Sequence, residues 1–199
     1  MGMFGALAAV LMLFEVPLPF LAPSFYGLDF AEVPMLVGTF ALGPVAGIVM
    51  QIVKILIKLI LKPTSTGFVG EFANVVMSCA LILPAGFIYR FKKSKNGALA
   101  GMAVGTVLMA VAGVVMNALI MIPFYSNFMP IETIIKAGAA VNPAVSSVWT
   151  LAIFCVGPFN LVKGTLTSVI TAVIYKRISV LIHGASHGTS GSYGVKKAV

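Results

Sequence analysis

Acidic residues are scarce in this chain, whose 199 residues include only five Asp and Glu against 13 Lys and Arg. Charged residues make up 9% of the chain and hydrophobic residues 60%, whereas soluble domains contain about 25% charged residues. This composition excludes an ordinary soluble domain. Long runs without a charged side chain, such as residues 97–131, indicate one polytopic membrane domain, because a spanning helix needs about 20 apolar residues.

Cysteine and histidine are also rare, with two of each. Cys79 and Cys155 stand within apolar runs and lack CxxC or Cys/His spacing, which predicts packed thiols and neither a disulfide nor a metal site. His183 and His187 lie near the C-terminus, and no Ser, His and Asp converge on a catalytic pattern. We therefore expect no enzyme activity, no metal and no cofactor.

The net charge of +8 comes from basic residues clustered at the ends of apolar segments. The positive-inside rule explains this clustering better than nucleic-acid binding does. The clusters at 90–95 and 176–177 are separated by two clear helices, so they share one face, which the rule makes cytoplasmic. The sequence thus predicts a multi-pass membrane protein, with both termini in the cytoplasm if the helices number six.

Gly43-Pro44 is expected to break an apolar stretch that would otherwise read as one long helix, because proline lacks a backbone donor. The unbroken alternative gives five helices and an outside N-terminus. We favour an all-α fold of six transmembrane helices, the second of them short, over residues 2–16, 31–42, 44–61, 69–90, 97–122 and 146–176. Residues 1–182 then form the membrane domain, and 183–199 a disordered cytoplasmic tail.

Pro17–Phe30 is the first connection on the predicted outer face. It combines prolines and a glycine with several aromatic residues, a composition that can neither form a helix nor remain comfortably in water. We expect it to fold inward as a lid loop between helices 1 and 2.

Acidic residues at helix starts are candidates for a site, because a charge in a bilayer helix costs at least ~2.5–3.5 kcal/mol on insertion scales. Asp29 either caps the second helix or faces the interior. Glu71 shares a helical face with Asn74, and is either a first-turn residue favoured by the helix dipole or an inward carboxylate. Lys54 needs an acidic partner, for which Glu71 and Glu32 are the candidates.

Asn160 and Lys163 lie one turn apart on the sixth helix, after Gly157-Pro158, which should kink that helix. Together they offer donors and an acceptor to one patch of the interior, which suits a heteroaromatic edge or a polyol. The alternative is an interhelical hydrogen-bond pair with Glu71. Asn117 on the fifth helix has the same ambiguity.

Five segments carry a resemblance to a known family, in order and spacing from about residue 3 to residue 178. They are LDFAEVPMLVG at 28–38, ALGP at 41–44, GEFAN at 70–74, PFY at 123–125 after Asn117, and GPFNLVKG at 157–164. Together they resemble the riboflavin-specific substrate-binding (S) component of energy-coupling-factor (ECF) transporters. Each short motif alone is weak, and the combination is specific.

The resemblance implies a riboflavin site near the outer face, with riboflavin as transported ligand and the Asn-x-x-Lys pair as a recurrent contact. The ligand-binding residues expected from it and from the polar pattern are Asn160, Lys163, Asn117, Asn127, Leu28, Asp29, Phe30, Glu71, Asn74 and Lys54. Asn117 and Asn127 are rivals for one role.

The resemblance also implies a location in the bacterial cell membrane. The partners it implies are a membrane coupling subunit and two ATPase subunits, besides the lipid bilayer. Docking is expected on the small residues of the first helix, where small-xxx-small spacing allows close helix approach. These are Gly2, Gly5, Ala6 and Ala9.

Three other functions remain open from the residues alone. The first is an S component for another vitamin. The second is a self-sufficient secondary transporter in which Lys54, Glu71 and Lys163 relay protons. The third, an integral-membrane enzyme acting on a lipid head group, is disfavoured by the missing acid/base or metal cluster.

Overall fold

A computed structural model describes residues 1–23, 26–64 and 67–184, with side chains described up to Tyr175. Helices account for most of it, joined by one short antiparallel ribbon of β1 (Val16–Pro17) and β2 (Gly27–Leu28). The helices are α1 Gly2–Leu13, α2 Glu32–Leu42, α3 Pro44–Leu61, α4 Val69–Phe91, α5 Lys95–Tyr125, α6 Ile131–Ala139 and α7, which begins at Val148 and ends at Gly184.

Four helices in the described part of the chain are long and apolar enough to cross a membrane, namely α3, α4, α5 and α7 up to Tyr175. The apolar helices α1 and α2 are shorter. The chain is thus a multi-pass membrane protein, but the predicted count of six transmembrane helices is not confirmed. The sequence also placed Ile131–Ala139 in a connection, whereas it forms an additional helix, α6.

The predicted break between α2 and α3 is present at Gly43-Pro44. Gly43 has φ +96°, in the left-handed region that favours glycine. Pro44 occupies the first turn of α3, where a missing backbone N–H costs nothing and the fixed φ suits a helix. The break lets α2 end after 11 residues and α3 turn back beside it.

Helices α4 and α5 approach closely along a row of glycines on α5, spaced four residues apart. A Cβ on Gly101 would stand 2.8 Å from the carbonyl oxygen of Ala85, and one on Gly105 would stand 2.3 Å from that of Leu81. No side chain fits in that space. This is the small-residue packing that membrane helices use in place of a hydrophobic driving force.

Two π-helical turns interrupt the long helices, at Asn117–Met121 in α5 and at Ala152–Val156 in α7. Each is followed closely by a proline, Pro123 or Pro158. Proline cannot donate the helical i to i−4 hydrogen bond, and a shift to wider turns accommodates the carbonyls left without that donor. Both π turns lie at the same end of the bundle, where they help to shape the site described below.

The interior divides into two apolar clusters. One, around Met35, Met50 and Leu81, fills the space between α1, α2, α3, α4 and α5. The other joins Leu28 in the connection between α1 and α2 to Ile134 in α6 and Phe159 in α7. The connection is therefore packed against the helix bundle at that end. The tail expected at 183–199 lies, from residue 185 onward, outside the described residues.

The close approach of α4 and α5 predicts that Gly105→Ala lowers stability. Its Cβ would overlap a backbone oxygen, and overpacking of this kind costs about 1–3 kcal/mol. Thermal unfolding of the purified protein in detergent measures the effect. Gly2→Ala is the control, because nothing lies within 4 Å of its Cβ position. An unchanged or higher melting temperature for Gly105→Ala would mean that the helices pack less closely.

Candidate functional site

A cavity of about 260 Å³ lies at the end of the bundle where α3 ends and α4 begins. Its polar wall consists of Glu15, Tyr26, Asp29, Lys58, Lys62, Glu71, Asn74, Asn117, Tyr125, Asn160 and Lys163. Its less polar wall consists of Met12, Gly27, Gly70, Ala73, Met77, Met121 and Phe159. The lining thus combines aromatic and thioether surfaces with charged and amide groups, as in sites that bind a small molecule with polar edges.

Six of the ten residues expected from the sequence to bind ligand line this cavity. They are Asn160, Lys163, Asn117, Asp29, Glu71 and Asn74. The other four do not. Leu28 and Phe30 belong to the neighbouring apolar cluster, Lys54 is fully buried behind the wall, and exposed Asn127 donates a hydrogen bond to the carbonyl of Phe124 (3.0 Å). The last finding favours Asn117 over Asn127.

Asp29 joins the connection between α1 and α2 to helix α7. Its Oδ2 accepts a hydrogen bond from Lys163 Nζ at 2.6 Å, and its Oδ1 accepts one from the backbone N–H of Ala31 at 2.9 Å. Burial alone would raise the pKa of this carboxyl, but Lys163 overcomes that effect, and the pKa lies below its ordinary value. Asp29 thus makes a local turn and an ion pair at once, and Lys163 pairs with Asp29 instead of the Glu71 considered from sequence.

Lys54 settles into a buried polar cluster beside the cavity. Its Nζ donates to Glu32 Oε1 at 3.1 Å, to Asn74 Oδ1 at 2.9 Å and to Ser78 Oγ at 3.2 Å. Of its two candidate partners, Glu32 is therefore the one it meets. Asn74 Oδ1 also accepts from Gln51 Nε2 at 3.2 Å, so the Asn74 amide group is left as a donor at the cavity wall.

A third ion pair joins Lys58 in α3 to Glu71 in α4, and Glu71 also accepts a hydrogen bond from Thr64 Oγ1 at 2.9 Å. This pair lines the cavity, and the Lys58 side chain retains 13% exposure. Lys58 was not among the ligand residues expected from sequence. The regular spacing of Lys54, Lys58 and Lys62 could have indicated that Lys58 faces the same side as Lys54, because residues four apart share a helical face.

Asn117 and Asn160 are each oriented by a side-chain hydrogen bond to the backbone of their own helix. Asn117 Nδ2 donates to the carbonyl of Gly113 at 2.8 Å, and Asn160 Nδ2 donates to that of Val156 at 3.0 Å, four residues earlier in each case. Each amide therefore turns its oxygen away from its own helix. A Cβ on Gly113 would lie 2.4 Å from Asn160 Nδ2, so this glycine makes room for Asn160 against α5.

Tyr26 links the connection between α1 and α2 to helix α5 through a hydrogen bond. Its hydroxyl donates to Asn117 Oδ1 at 2.6 Å, across 91 positions of sequence. Burial raises the pKa of this hydroxyl, so it remains a donor at neutral pH. Tyr26 also contacts the ring of Phe159, with centroids 5.9 Å apart. Composition identified the aromatic character of this connection, but no local pattern marks Tyr26 as the residue that reaches Asn117.

The small residues of α1 divide between the interior and the surface. Ala9 is fully buried, and a Cβ on Gly5 would lie 2.8 Å from Val53 in α3. Gly2 and Ala6 keep accessible surface. Of the set expected to dock a partner, only Gly2 and Ala6 are therefore placed where another helix can reach them.

Comparison with known proteins gives consistent matches over nearly all of the chain. Residues 1–175 match the family described as "ECF transporter, substrate-specific component". The chain is 30% identical to the riboflavin transporter RibU of Staphylococcus aureus (strain TCH60) over 178 residues, 89% of this chain and 87% of that protein. It is 28% identical to the riboflavin transporter FmnP of Bacillus subtilis (strain 168) over 180 residues, 89% and 88% of the two chains.

The fold is similar to a solved structure described as "Structure and mechanism of the S component of a bacterial ECF transporter". The TM-score is 0.69 at 29% sequence identity, and the match covers 90% of this chain and 93% of the other.

The buried cluster predicts that Lys54→Met strongly destabilises the protein. Removing the lysine leaves Glu32 as a buried charge without its ammonium partner, which costs about 3–5 kcal/mol. The double variant Lys54→Met/Glu32→Gln removes both charges and should recover much of that loss. Lys58→Met is the matched control on the same helix and should cost less, because its pair is partly solvated.

Thermal and chemical unfolding of the four proteins in one detergent provides the comparison. A double variant no more stable than Lys54→Met would show that the charge of Glu32 is not the cause.

Proposed function

Because the chain belongs to the family of ECF transporter substrate-specific components, we propose that it binds riboflavin in the cavity between α3, α4, α5 and α7. Members of this family are the substrate-binding components of transporters, so the chain is not an enzyme. The main support for the proposal is that six residues expected from the sequence to bind ligand line one cavity, in a chain similar to two riboflavin transporters.

The chemistry of the cavity suits a flavin. The tricyclic ring needs apolar and aromatic walls, which Met77, Met121 and Phe159 provide. The pyrimidine edge and the ribityl hydroxyls need donors and acceptors in alternation. Asn74 offers a donor, and Asn160 an acceptor, because the other atom of each amide is already hydrogen-bonded within the protein.

The connection between α1 and α2 acts as the lid in this proposal. Tyr26, Gly27 and Asp29 line the cavity and come from this one segment. The Tyr26 hydrogen bond to Asn117 and the Asp29 ion pair with Lys163 support the role, because both link the segment to cavity-lining helices. The cavity end would face outward and both termini inward, as the positive-inside rule requires of the basic cluster at 90–95.

Transport would require a partner that supplies energy. We propose a membrane coupling subunit, driven by two ATPases, that docks on the accessible part of α1 around Gly2 and Ala6. Small residues allow close helix approach, and these two keep accessible surface. Residues 1–182 would form the membrane domain, with 183–199 as its cytoplasmic tail.

Riboflavin binding tests the site directly, through quenching of flavin fluorescence by the detergent-purified protein. Asn160→Ala should raise the Kd about 10- to 100-fold, since a lost hydrogen bond to a buried polar group costs about 1–3 kcal/mol. Lys163→Ala should weaken binding further, because Asp29 also loses its partner.

The matched controls are Asn127→Ala and Lys136→Ala, whose side chains are exposed and do not line the cavity. Both should bind riboflavin as the unaltered chain does. Unchanged affinity in the Asn160 and Lys163 variants would place the flavin elsewhere. A protein that binds no riboflavin but binds another vitamin would be an S component of different specificity.

Ala6→Trp tests docking separately from binding. The indole should block close approach of a partner helix and lower ATP-driven riboflavin uptake by about tenfold or more, corresponding to ~1.4 kcal/mol of lost packing. Riboflavin binding by the isolated chain should not change. Val111→Trp, at an exposed apolar position on α5, is the control and should preserve uptake. Loss of binding in Ala6→Trp would show instead that α1 supports the cavity.

A further inference from the structure

The carboxylate side chains of the chain are confined to one end of the bundle, where lysines accompany them. All five carboxylate side chains of the sequence lie at the cavity end or in its connections, at Glu15, Asp29, Glu32, Glu71 and Glu132. The junction between α4 and α5, at the opposite end, has only cations, at 90, 92, 93 and 95. Within the described residues, none of these four cations takes part in an ion pair.

A second cavity, of about 340 Å³, lies at that opposite end between the last turns of α2 and α4. Phe40 and Tyr89 form an aromatic wall, with ring centroids 4.9 Å apart, and both are nearly buried. Arg90 and Lys93 complete the lining at the open side. Lys92 and Lys95 belong to the same basic cluster but do not line this cavity.

The break at Gly43 produces this hollow. Chain direction changes there at φ +96°, so α2 stops beside the last turns of α4. Gly86 makes the approach possible, because a Cβ at this position would lie 2.6 Å from the side chain of Thr39. The hollow is therefore a fixed consequence of helix packing, and the two cations stand at its rim.

We propose that this cavity binds the phosphate head group of an anionic phospholipid. A guanidinium pairs with phosphate oxygens through two parallel hydrogen bonds, and an ammonium adds a second positive charge. Basic pockets between transmembrane helices bind anionic head groups in this way. The positive-inside rule puts the basic cluster on the cytoplasmic side, where the membrane surface is negatively charged by such lipids.

A lipid fits the surroundings better than a soluble phosphate does. Leu42 lines the cavity and is 49% exposed. Val45, two residues after the lining residue Gly43, and Phe87, next to the lining residue Gly86, are 68% and 46% exposed. They give acyl chains an apolar surface beside the head-group site. A free phosphate would use only the two cations and would leave the apolar wall without a ligand.

Native mass spectrometry of the full chain in nanodiscs tests the proposal. In mixed phosphatidylcholine and phosphatidylglycerol nanodiscs, the protein should retain phosphatidylglycerol preferentially. Arg90→Gln/Lys93→Gln should reduce that preference about ten- to thirtyfold, from the attraction expected of two cations near an anionic lipid. Lys92→Gln/Lys95→Gln removes the same charge from the same cluster and should reduce it by less than about threefold. Size-exclusion elution and helical circular dichroism verify that both variants are folded.

Equal losses in the two double variants would overturn the proposal, since the attraction would then come from the whole basic cluster. No preference for phosphatidylglycerol in the unaltered chain would overturn it as well. A further arm adds inorganic phosphate to nanodiscs of phosphatidylcholine alone. Binding of phosphate there as strong as that of the lipid would identify a soluble anion as the ligand and overturn the lipid assignment.

Discussion

The structure depends on pairing carboxylates with lysines inside an apolar bundle. Three ion pairs, Glu32 with Lys54, Glu71 with Lys58 and Asp29 with Lys163, join different elements of the bundle, and the last joins residues 134 positions apart. A buried pair is not necessarily more stabilising than apolar packing, but either partner alone would be costly. Each pair therefore fixes where the participating helices can lie, and all three lie in or beside the cavity wall.

In the proposed site, specificity would come from amide groups that already make hydrogen bonds within the protein. Asn74 and Asn160 each use one atom of the amide for a contact within the protein, which leaves a donor on Asn74 and an acceptor on Asn160 for the proposed ligand. Asn117 uses both amide atoms, donating to Gly113 and accepting from Tyr26. The π turns lie close to these amides: the one in α5 begins at Asn117, and the one in α7 ends at Val156, four residues before Asn160. Proline-induced irregularity in the long helices is thus part of the site.

The helical class, the break at Gly43-Pro44 and the starts of α3 and α4 followed from local signals in the sequence. Proline and glycine determine the conformation of the backbone next to them, so a helix break can be predicted from a short segment. The length of an apolar run directly indicates whether a helix can span a membrane. The helix α6 was missed because the residues around it include prolines and polar side chains typical of a connection.

The hydrogen-bond and ion-pair partners of individual side chains were harder to predict from the sequence, because they depend on packing between distant segments. Lys54 had two plausible partners, and the structure selects Glu32. Lys163 was expected to meet a ligand or Glu71, and it meets Asp29, 134 positions away. Asn127 and Asn117 were equivalent by residue type, and only their placement on a loop or inside the bundle separates them.

The ribbon of β1 and β2 has a consequence for the kinetics of ligand exchange. It ties both ends of the connection between α1 and α2 together, so as the proposed lid the connection would open as one unit. Two bonds, from Tyr26 to Asn117 and from Asp29 to Lys163, must break for that opening. In the proposed riboflavin site, exchange would then be limited by this opening rather than by diffusion of the ligand, and an enclosed ligand would have a long residence time.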